Sequence, residues 1–161
     1  MTTDPQDAGT LPDGWRTIPP DRLGTPGIAF AAAHDVPDAG FTANVTVGVQ
    51  RSSDPGLVLT LGAEALRAIQ ATEQDVALHR REQAGDATTP ALAQEVRFTT
   101  TIDGEPVRLT QVQEFVARPG ADGAPATVWT LSATATQAQA EALADDLETL
   151  LGALRAEIAA S

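Results

Sequence analysis

Hydrophobic residues follow two different periods along this chain, and each period predicts one kind of element. In residues 41–50 the odd positions are hydrophobic and the even positions mostly polar, which predicts a strand with one buried face. Similar apolar or alternating runs predict further strands at 27–33, 75–82, 94–103, 105–117 and 127–135. The pattern therefore predicts a protein built mainly from strands.

Two segments have helical periodicity instead. Residues 57–71 repeat apolar side chains at four-residue steps, which favours a helix. Thr136 and Gln139 have the spacing of a capping box, and a leucine-rich stripe follows to Ile158. We expect one helix of roughly 22 residues, about 33 Å long, to pack across a sheet. A coiled-coil partner is the alternative use of this stripe.

The order of these elements predicts the fold class. Asp103-Gly104 between two strands is typical of a hairpin, and hairpin-linked strands form antiparallel sheets. The chain lacks the regular strand–helix alternation of a doubly wound nucleotide-binding fold. The prediction is an α+β fold, an antiparallel sheet with helices packed on it. Residues 1–14 are predicted to be a flexible lead-in, and 15–161 a single domain.

Charge and missing residue types exclude several classes of function. The 161 residues carry 10 basic and 22 acidic side chains, a net charge of −12. This charge argues against binding to nucleic acid or to anionic lipid surfaces. Without cysteine there are no disulfides or thiolate zinc sites, and without lysine no Schiff base or P-loop. With only two histidines, an imidazole metal cage is also disfavoured.

The first residues show neither a basic segment nor an apolar run, so they do not predict a signal peptide. No stretch approaches the ~18 apolar residues that a membrane span requires. We therefore expect no membrane insertion and a cytoplasmic location.

Several segments resemble a known family. They are GIAF with the acidic loop after it, FTANVTV, QEVRFTTTIDGEPVRLTQVQEF, VWTLSATA and the leucine-rich terminal helix. Together, over roughly residues 15–158, they resemble the LpqN-like actinobacterial proteins of the PsbP-like superfamily, which includes DcrB. The resemblance implies a curved antiparallel sheet sandwiched between helices.

The same resemblance implies a function without catalysis. Members of the superfamily mostly bind partner proteins, act as adaptors or chaperones in secretion, or serve as envelope lipoproteins. LpqN-like members are typically exported and lipidated at an N-terminal cysteine, whereas this chain has no cysteine. A cytoplasmic binding role is therefore expected, and the resemblance brings no catalytic residues.

Two groups of residues are candidates for chemistry. His34, Asp35 and Asp38 supply possible metal ligands, although a solvated loop with Asx-type turn bonds is the better explanation. Glu95 and Glu114 are expected to face each other across the hairpin, as a carboxylate pair for hydrolysis would require. Without a predicted cleft, we expect no catalytic site, no metal and no cofactor.

The candidate contacts for a ligand or partner are Trp129, Gln111, Gln113, Arg80 and Arg81. Trp129 is expected either in the core or facing a ligand. The glutamines belong to strand faces that form either a polar groove or the solvent side of the sheet. Arg80 and Arg81 lie beside His79 in the one local positive patch, and bind either a partner's carboxylate or the protein's own acidic surface.

These observations predict a non-enzymatic binding, adaptor or chaperone-like module. Its expected ligand is a protein or peptide segment, with a small amphiphile second. The alternatives are a weak hydrolase that depends on carboxylates or His34, and a homo-oligomeric structural subunit that associates through the leucine stripe. The sequence leaves the oligomeric state open.

Overall fold

Seven antiparallel strands form one sheet in the order β1-β2-β3-β7-β6-β5-β4, as seen in a computed structural model that describes residues 11–54 and 56–161. The strands are β1 (Trp15–Thr17), β2 (Ile28–His34), β3 (Asn44–Ser52), β4 (Gln74–Ala84), β5 (Ala91–Ile102), β6 (Glu105–Arg118) and β7 (Ala126–Thr136). The helices are α1 (Leu57–Thr72), α2 (Gln137–Ala142) and α3 (Ala144–Ala160). The predicted α+β fold, with helices on an antiparallel sheet, is confirmed.

The predicted flexible segment 1–14 lies mainly outside the described residues. Within its described part, Leu11 packs against the core, and the backbone carbonyl of Pro12 accepts a bond from the Trp15 amide at 3.2 Å. The division into a lead-in and a single domain from residue 15 stays a prediction. In the described part of the chain, no helix is long and apolar enough to cross a membrane.

The terminal helices cover one side of the sheet, which we call the α3 face. This face is apolar: buried alanine, valine and leucine side chains of β2, β3 and β7 meet Leu150, Leu151, Leu154 and Ile158 of α3. The predicted leucine stripe thus packs on the sheet. It is not free for a coiled-coil partner or for assembly of copies, so that alternative use of the stripe is wrong.

Helix α1 covers part of the opposite side, the α1 face. Its predicted stripe packs above β5 and β6, where Leu57, Leu61 and Ala65 contact one buried cluster and Ile69 another. Gly62 allows a close approach, because a Cβ at this position would come within 2.3 Å of the Leu92 side chain. The helix forms despite Gly62, and a larger residue there would force the buried Leu92 side chain to shift.

The terminal helix is interrupted, which corrects the prediction of one rod. The capping box is confirmed: the Thr136 hydroxyl accepts from the Gln139 amide, and the Gln139 side chain accepts from the Thr136 amide. Helical geometry then breaks at Leu143, which has φ −106° and ψ 15°. The two parts are tied to different places, since Gln139 donates to the Phe41 carbonyl whereas Asp146 accepts from the Trp15 indole. The two parts of the terminal helix are therefore anchored at different places, α2 at the loop before β3 and α3 at β1.

The predicted hairpin is confirmed in detail. Asp103 and Gly104 connect β5 to β6 with φ values of 51° and 82°, as a two-residue type I′ turn requires. The register pairs Ile102 with Glu105. This turn fixes which residues of β5 and β6 lie opposite each other, and so positions the polar side chains described next.

Candidate functional site

A chain of side-chain hydrogen bonds crosses the α1 face from the edge strand inwards. It begins on β4, where Arg81 donates to the Gln94 side-chain oxygen from Nε at 3.0 Å and from Nη2 at 2.8 Å. Gln94 in turn donates from Nε2 to the Gly62 carbonyl at 2.9 Å and to Gln113 Oε1 at 2.6 Å. The amide of Gln94 therefore links an arginine at the edge to helix α1 and to the centre of the sheet.

This series of hydrogen bonds continues along β6 and then crosses to β7. Gln113 donates to the side-chain oxygen of Gln111, which donates to Thr134 Oγ1 on β7 at 2.8 Å. We call the series Arg81–Gln94–Gln113–Gln111–Thr134 the glutamine ladder. Gln94 and Gln113 are only 2% and 4% exposed. Each buried amide has a partner, which is what allows polar groups to lie under a helix.

Three of the five predicted contact residues, Arg81, Gln111 and Gln113, are thus brought together. The expectation that such side chains form the solvent side of the sheet is wrong for Gln113, because α1 covers its strand. Gln94 was not predicted by sequence reasoning. A glutamine at an inward position of an otherwise alternating strand was the available signal, since a buried amide requires a partner across the strands.

Trp129 lies on the other side of the sheet. It is paired with Val116 on β6 and Val49 on β3, and its half-buried ring packs against the apolar core of the α3 face. The indole Nε1 is buried and has no hydrogen-bond partner among the described residues. The sheet therefore separates Trp129 from Gln111 and Gln113, and the five predicted contacts do not form one site.

Arg80 lies beside Arg81 but on the opposite side of β4, because neighbouring strand residues point to opposite faces. Its guanidinium Nε lies 4.0 Å from Glu82 Oε1, and both side chains are 65% exposed. A pair this open contributes little to stability. Arg80 and Arg81 thus place one guanidinium on each side of the same strand.

On the α3 face, next to Arg80, a small cluster of charges surrounds Glu95. One Glu95 oxygen lies 3.5 Å from His79 Nε2 and 3.2 Å from Arg97 Nη2. A cleft of about 260 Å³ adjoins it, lined by Glu95, Arg97, Arg108 and Glu141 among others. Both signs of charge line this cleft, so it does not select strongly for an anion or a cation.

The two carboxylates expected to oppose each other do not do so. The register pairs Glu95 with Val112 and Glu114 with Ala93. Glu114 instead accepts two bonds from Arg155 of α3, at 2.8 and 2.6 Å, and this hydrogen bonding raises the pKa of the Arg155 guanidinium. Each carboxylate is therefore held by its own cation, not poised as one of an acid–base pair.

In the acidic loop after β2, each candidate metal ligand likewise contacts its own partner elsewhere in the protein. The His34 ring packs edge-to-face on the indole of β1, with ring centroids 5.4 Å apart. Asp35 pairs with Arg16 at 2.9 Å, and Asp38 accepts a 2.7 Å bond from the N-cap hydroxyl of α2. No three His, Cys, Asp or Glu side chains cluster to hold a metal ion anywhere in residues 11–54 and 56–161.

Comparison with known proteins gives information about the fold. No family model matches the sequence, and no curated protein matches it. Among solved structures, LpqN of Mycobacterium tuberculosis, involved in cell envelope biogenesis, is 18% identical with a TM-score of 0.60, over 88% of this chain and 77% of that one. Cyanobacterial PsbP (CyanoP) of Synechocystis is 11% identical with a TM-score of 0.55, over 89% and 82%. Protein PA94 of Pseudomonas aeruginosa is 13% identical with a TM-score of 0.52, over 75% and 77%.

The chain has a PsbP-like fold. Identities this low establish the arrangement of strands and helices alone. The PsbP-like sheet nevertheless accounts for what the sequence could not supply, which is the placement of β7 between β3 and β6. That placement brings Thr134 beside Gln111 and completes the glutamine ladder.

Proposed function

We propose that this protein is a non-enzymatic binding module, of adaptor or chaperone-like type, that engages a segment of a partner protein. One observation carries the proposal: β4 is one of the two edge strands of the sheet, and each of its residues except Val76 is exposed. An edge strand of this length offers unpaired backbone groups to another chain.

The arrangement of the charged side chains supports binding more than catalysis. Glu114 is held by Arg155, Asp35 by Arg16, and Glu95 by Arg97 and His79. An acid–base or nucleophilic site requires such groups to converge on one point where a substrate can lie. Pairwise neutralisation spreads them over the surface instead.

The finer features of the proposal come from the sequence resemblance. We propose membership of the LpqN-like proteins, and with it an actinobacterial origin. The fold shared with LpqN, a protein involved in cell envelope biogenesis, supports this membership. A cytoplasmic location and a small amphiphile as second ligand are also proposed.

Site-specific photo-crosslinking in cells tests the proposed function. A photoreactive residue placed at Leu78, at Val36 or at Leu59, three exposed hydrophobic positions on different parts of the surface, should trap a partner protein at one position and not at all three. The purified partner should then bind the unmodified chain saturably. Equal weak labelling at every position, with no saturable binding, would contradict a binding function.

A turnover screen provides the opposite test. Under the proposal, esters, peptides and glycosides should be hydrolysed no faster by the wild type than by the variants His34→Ala and Glu114→Gln. Hydrolysis that either substitution abolishes, in a variant that still unfolds cooperatively, would show an enzyme.

A further inference from the structure

We propose that the β4 edge binds an acidic, extended peptide segment by strand addition, with carboxylates of the segment held by Arg80 and Arg81. This inference rests on the proposed binding function and specifies its surface and the chemistry of its partner. It is carried by the position of β4, by its charge, and by the way the glutamine ladder holds Arg81.

The backbone of β4 is suited to pair with one more strand. After an irregularity between Leu78 and Arg80, residues 80–84 pair with β5 in unbroken register. In an antiparallel ladder, alternate residues of an outer strand direct N–H and C=O groups away from the sheet. A regular stretch of this length can pair with a segment of about five or six residues.

The charge of the edge differs from that of the whole protein. The chain carries a net charge of −12, and Arg80-Arg81 is its only pair of adjacent cations. His79 comes directly before them, on the same exposed strand. β4 itself carries two carboxylates, Asp75 and Glu82, which balance Arg80 and Arg81 in number. An anionic segment is therefore repelled by most of this surface, meets no net charge along β4, and is attracted at the two adjacent arginines.

The ladder prepares Arg81 to bind a carboxylate. Two nitrogens of its guanidinium are held by the neutral Gln94 oxygen, at 3.0 and 2.8 Å, so its charge is fixed in place but not neutralised by that contact. Among the described residues, Arg80 has only the open 4.0 Å contact with Glu82. A guanidinium that is already oriented loses less freedom when it binds an anion.

These positions also predict the pattern of the partner. Because Arg80 and Arg81 point to opposite sides of β4, adjacent carboxylates on an added strand reach one arginine each. A run of consecutive acidic residues should therefore bind better than acidic residues at every second position, which reach one side only.

A second copy of this chain is a poorer occupant of the same edge. An antiparallel β4–β4 pair centred on the basic residues brings His79, Arg80 and Arg81 of both copies together, and directly opposed like charges destabilise a sheet. The net charge of each copy adds a further repulsion. An acidic partner segment has neither disadvantage.

The test uses a fluorescent peptide of about ten residues, with consecutive glutamates flanked by threonine and valine. Fluorescence anisotropy is measured with the full chain, with Arg80→Glu/Arg81→Glu, and with a control of equal charge change, Arg22→Glu/Arg67→Glu. Both control arginines are exposed and lie outside β4.

We expect peptide binding to weaken about tenfold or more in the β4 variant and less than about twofold in the control, and to weaken further as the salt concentration rises. The single variant Arg80→Glu keeps the ladder intact and should show part of the loss.

Two further peptides test strand addition itself. Each is N-methylated on alternate residues, in opposite phases, so that only one lacks the N–H groups that face β4. Loss of binding for one phase and not the other supports the inference, because a strand donates to its neighbour from every second residue. Equal binding by both phases, or equal weakening in both double variants, overturns it.

The remaining outcomes separate the edge from the function. Self-association in light scattering that Arg80→Glu/Arg81→Glu abolishes would identify a second copy as the occupant and overturn the inference. If no acidic peptide binds while photo-crosslinking finds a saturable partner elsewhere, the edge inference fails and the proposed function stands. If neither the peptide titration nor the photo-crosslinking detects binding, the edge inference and the proposed function both fail.

Discussion

The two faces of the sheet are filled by different kinds of side chain. On the α3 face, buried alanines, valines and leucines meet a leucine stripe with few polar groups between them. On the α1 face, apolar clusters lie either side of buried Gln94 and Gln113, and a close-packed glycine brings the helix down onto them.

This difference separates stability from specificity. Apolar packing is not directional, so the α3 face gains its stability from the area removed from water. Hydrogen bonds between amides require strict geometry. The glutamine ladder therefore stabilises only one register of β5, β6 and β7, and only one distance between α1 and the sheet. The ladder ends at Arg81 on the exposed edge, which links the ordered α1 face to the surface we propose for binding.

The largest expected effect lies on the α3 face. Leu154→Ala should lower the free energy of unfolding by about 2–5 kcal/mol, because this 2% exposed side chain leaves a cavity against β7 and its neighbours. Leu147 is only half-buried, so Leu147→Ala should cost less. Urea unfolding of both variants measures the difference. Equal losses would mean that α3 does not pack as described.

On the α1 face, the matching change is Gln94→Leu. We expect a loss of about 1–3 kcal/mol, since Gln113 and the Gly62 carbonyl each lose a buried partner even though the new side chain is apolar. Gln111→Leu, at the less buried end of the ladder, should cost less. A stabilising effect of Gln94→Leu would mean that the ladder contributes no net stability.

Two glycines should respond to alanine with opposite signs. Gly62→Ala should destabilise by about 1–3 kcal/mol, because its Cβ would meet Leu92 at 2.3 Å in a filled core. Gly152 lies on the exposed side of α3, where an added Cβ would meet no other side chain or element within 4 Å. Gly152→Ala should therefore stabilise the fold by about 0.4–1 kcal/mol. Thermal unfolding of the pair measures both. The same sign in both variants would contradict the close approach of α1.

The smallest expected effect is a loss of stability at acid pH, and it arises in the loop that joins β4 to β5. Bonds from the side chain and amide of Thr88 and of Thr89 lower the pKa of Asp86 to about 2. The folded pKa lies below the unfolded value of 3.8, so this stabilisation is present above about pH 4 and is lost as pH falls towards 2. Thr88→Ala should raise the pKa of Asp86, as NMR titration of the carboxyl would show. An unchanged titration would mean that Thr88 does not hold the carboxylate.

Local sequence patterns predicted an element correctly where the contacts that form it are short-range or involve one buried face. The Asp103-Gly104 turn, the Thr136 capping box and the apolar stripes of α1 and α3 all depend on contacts within a few residues or on one buried face. The break at Leu143 was missed because it depends on distant anchors, Phe41 for α2 and Trp15 for α3. No periodicity within the helix records such anchors.

The candidate contacts were predicted less completely for the same reason. Gln111, Gln113 and Arg81 could be singled out as polar residues, but their connection requires Gln94 and a helix overhead. The sequence shows that Arg80 and Arg81 are adjacent cations. It does not show that their strand is outermost, or that a buried amide holds one of them.

The sequence by itself determined the class of fold, the hairpin, the packing stripe of the terminal helix and the types of chemistry that are excluded, because these follow from residue type and short-range spacing. Tertiary structure alone decided that β7 lies between β3 and β6, that β4 lies at the edge, and that glutamines far apart in the chain meet under α1. Those outcomes depend on which strands pair over long separations, a choice made by the burial and hydrogen bonding of the whole sheet.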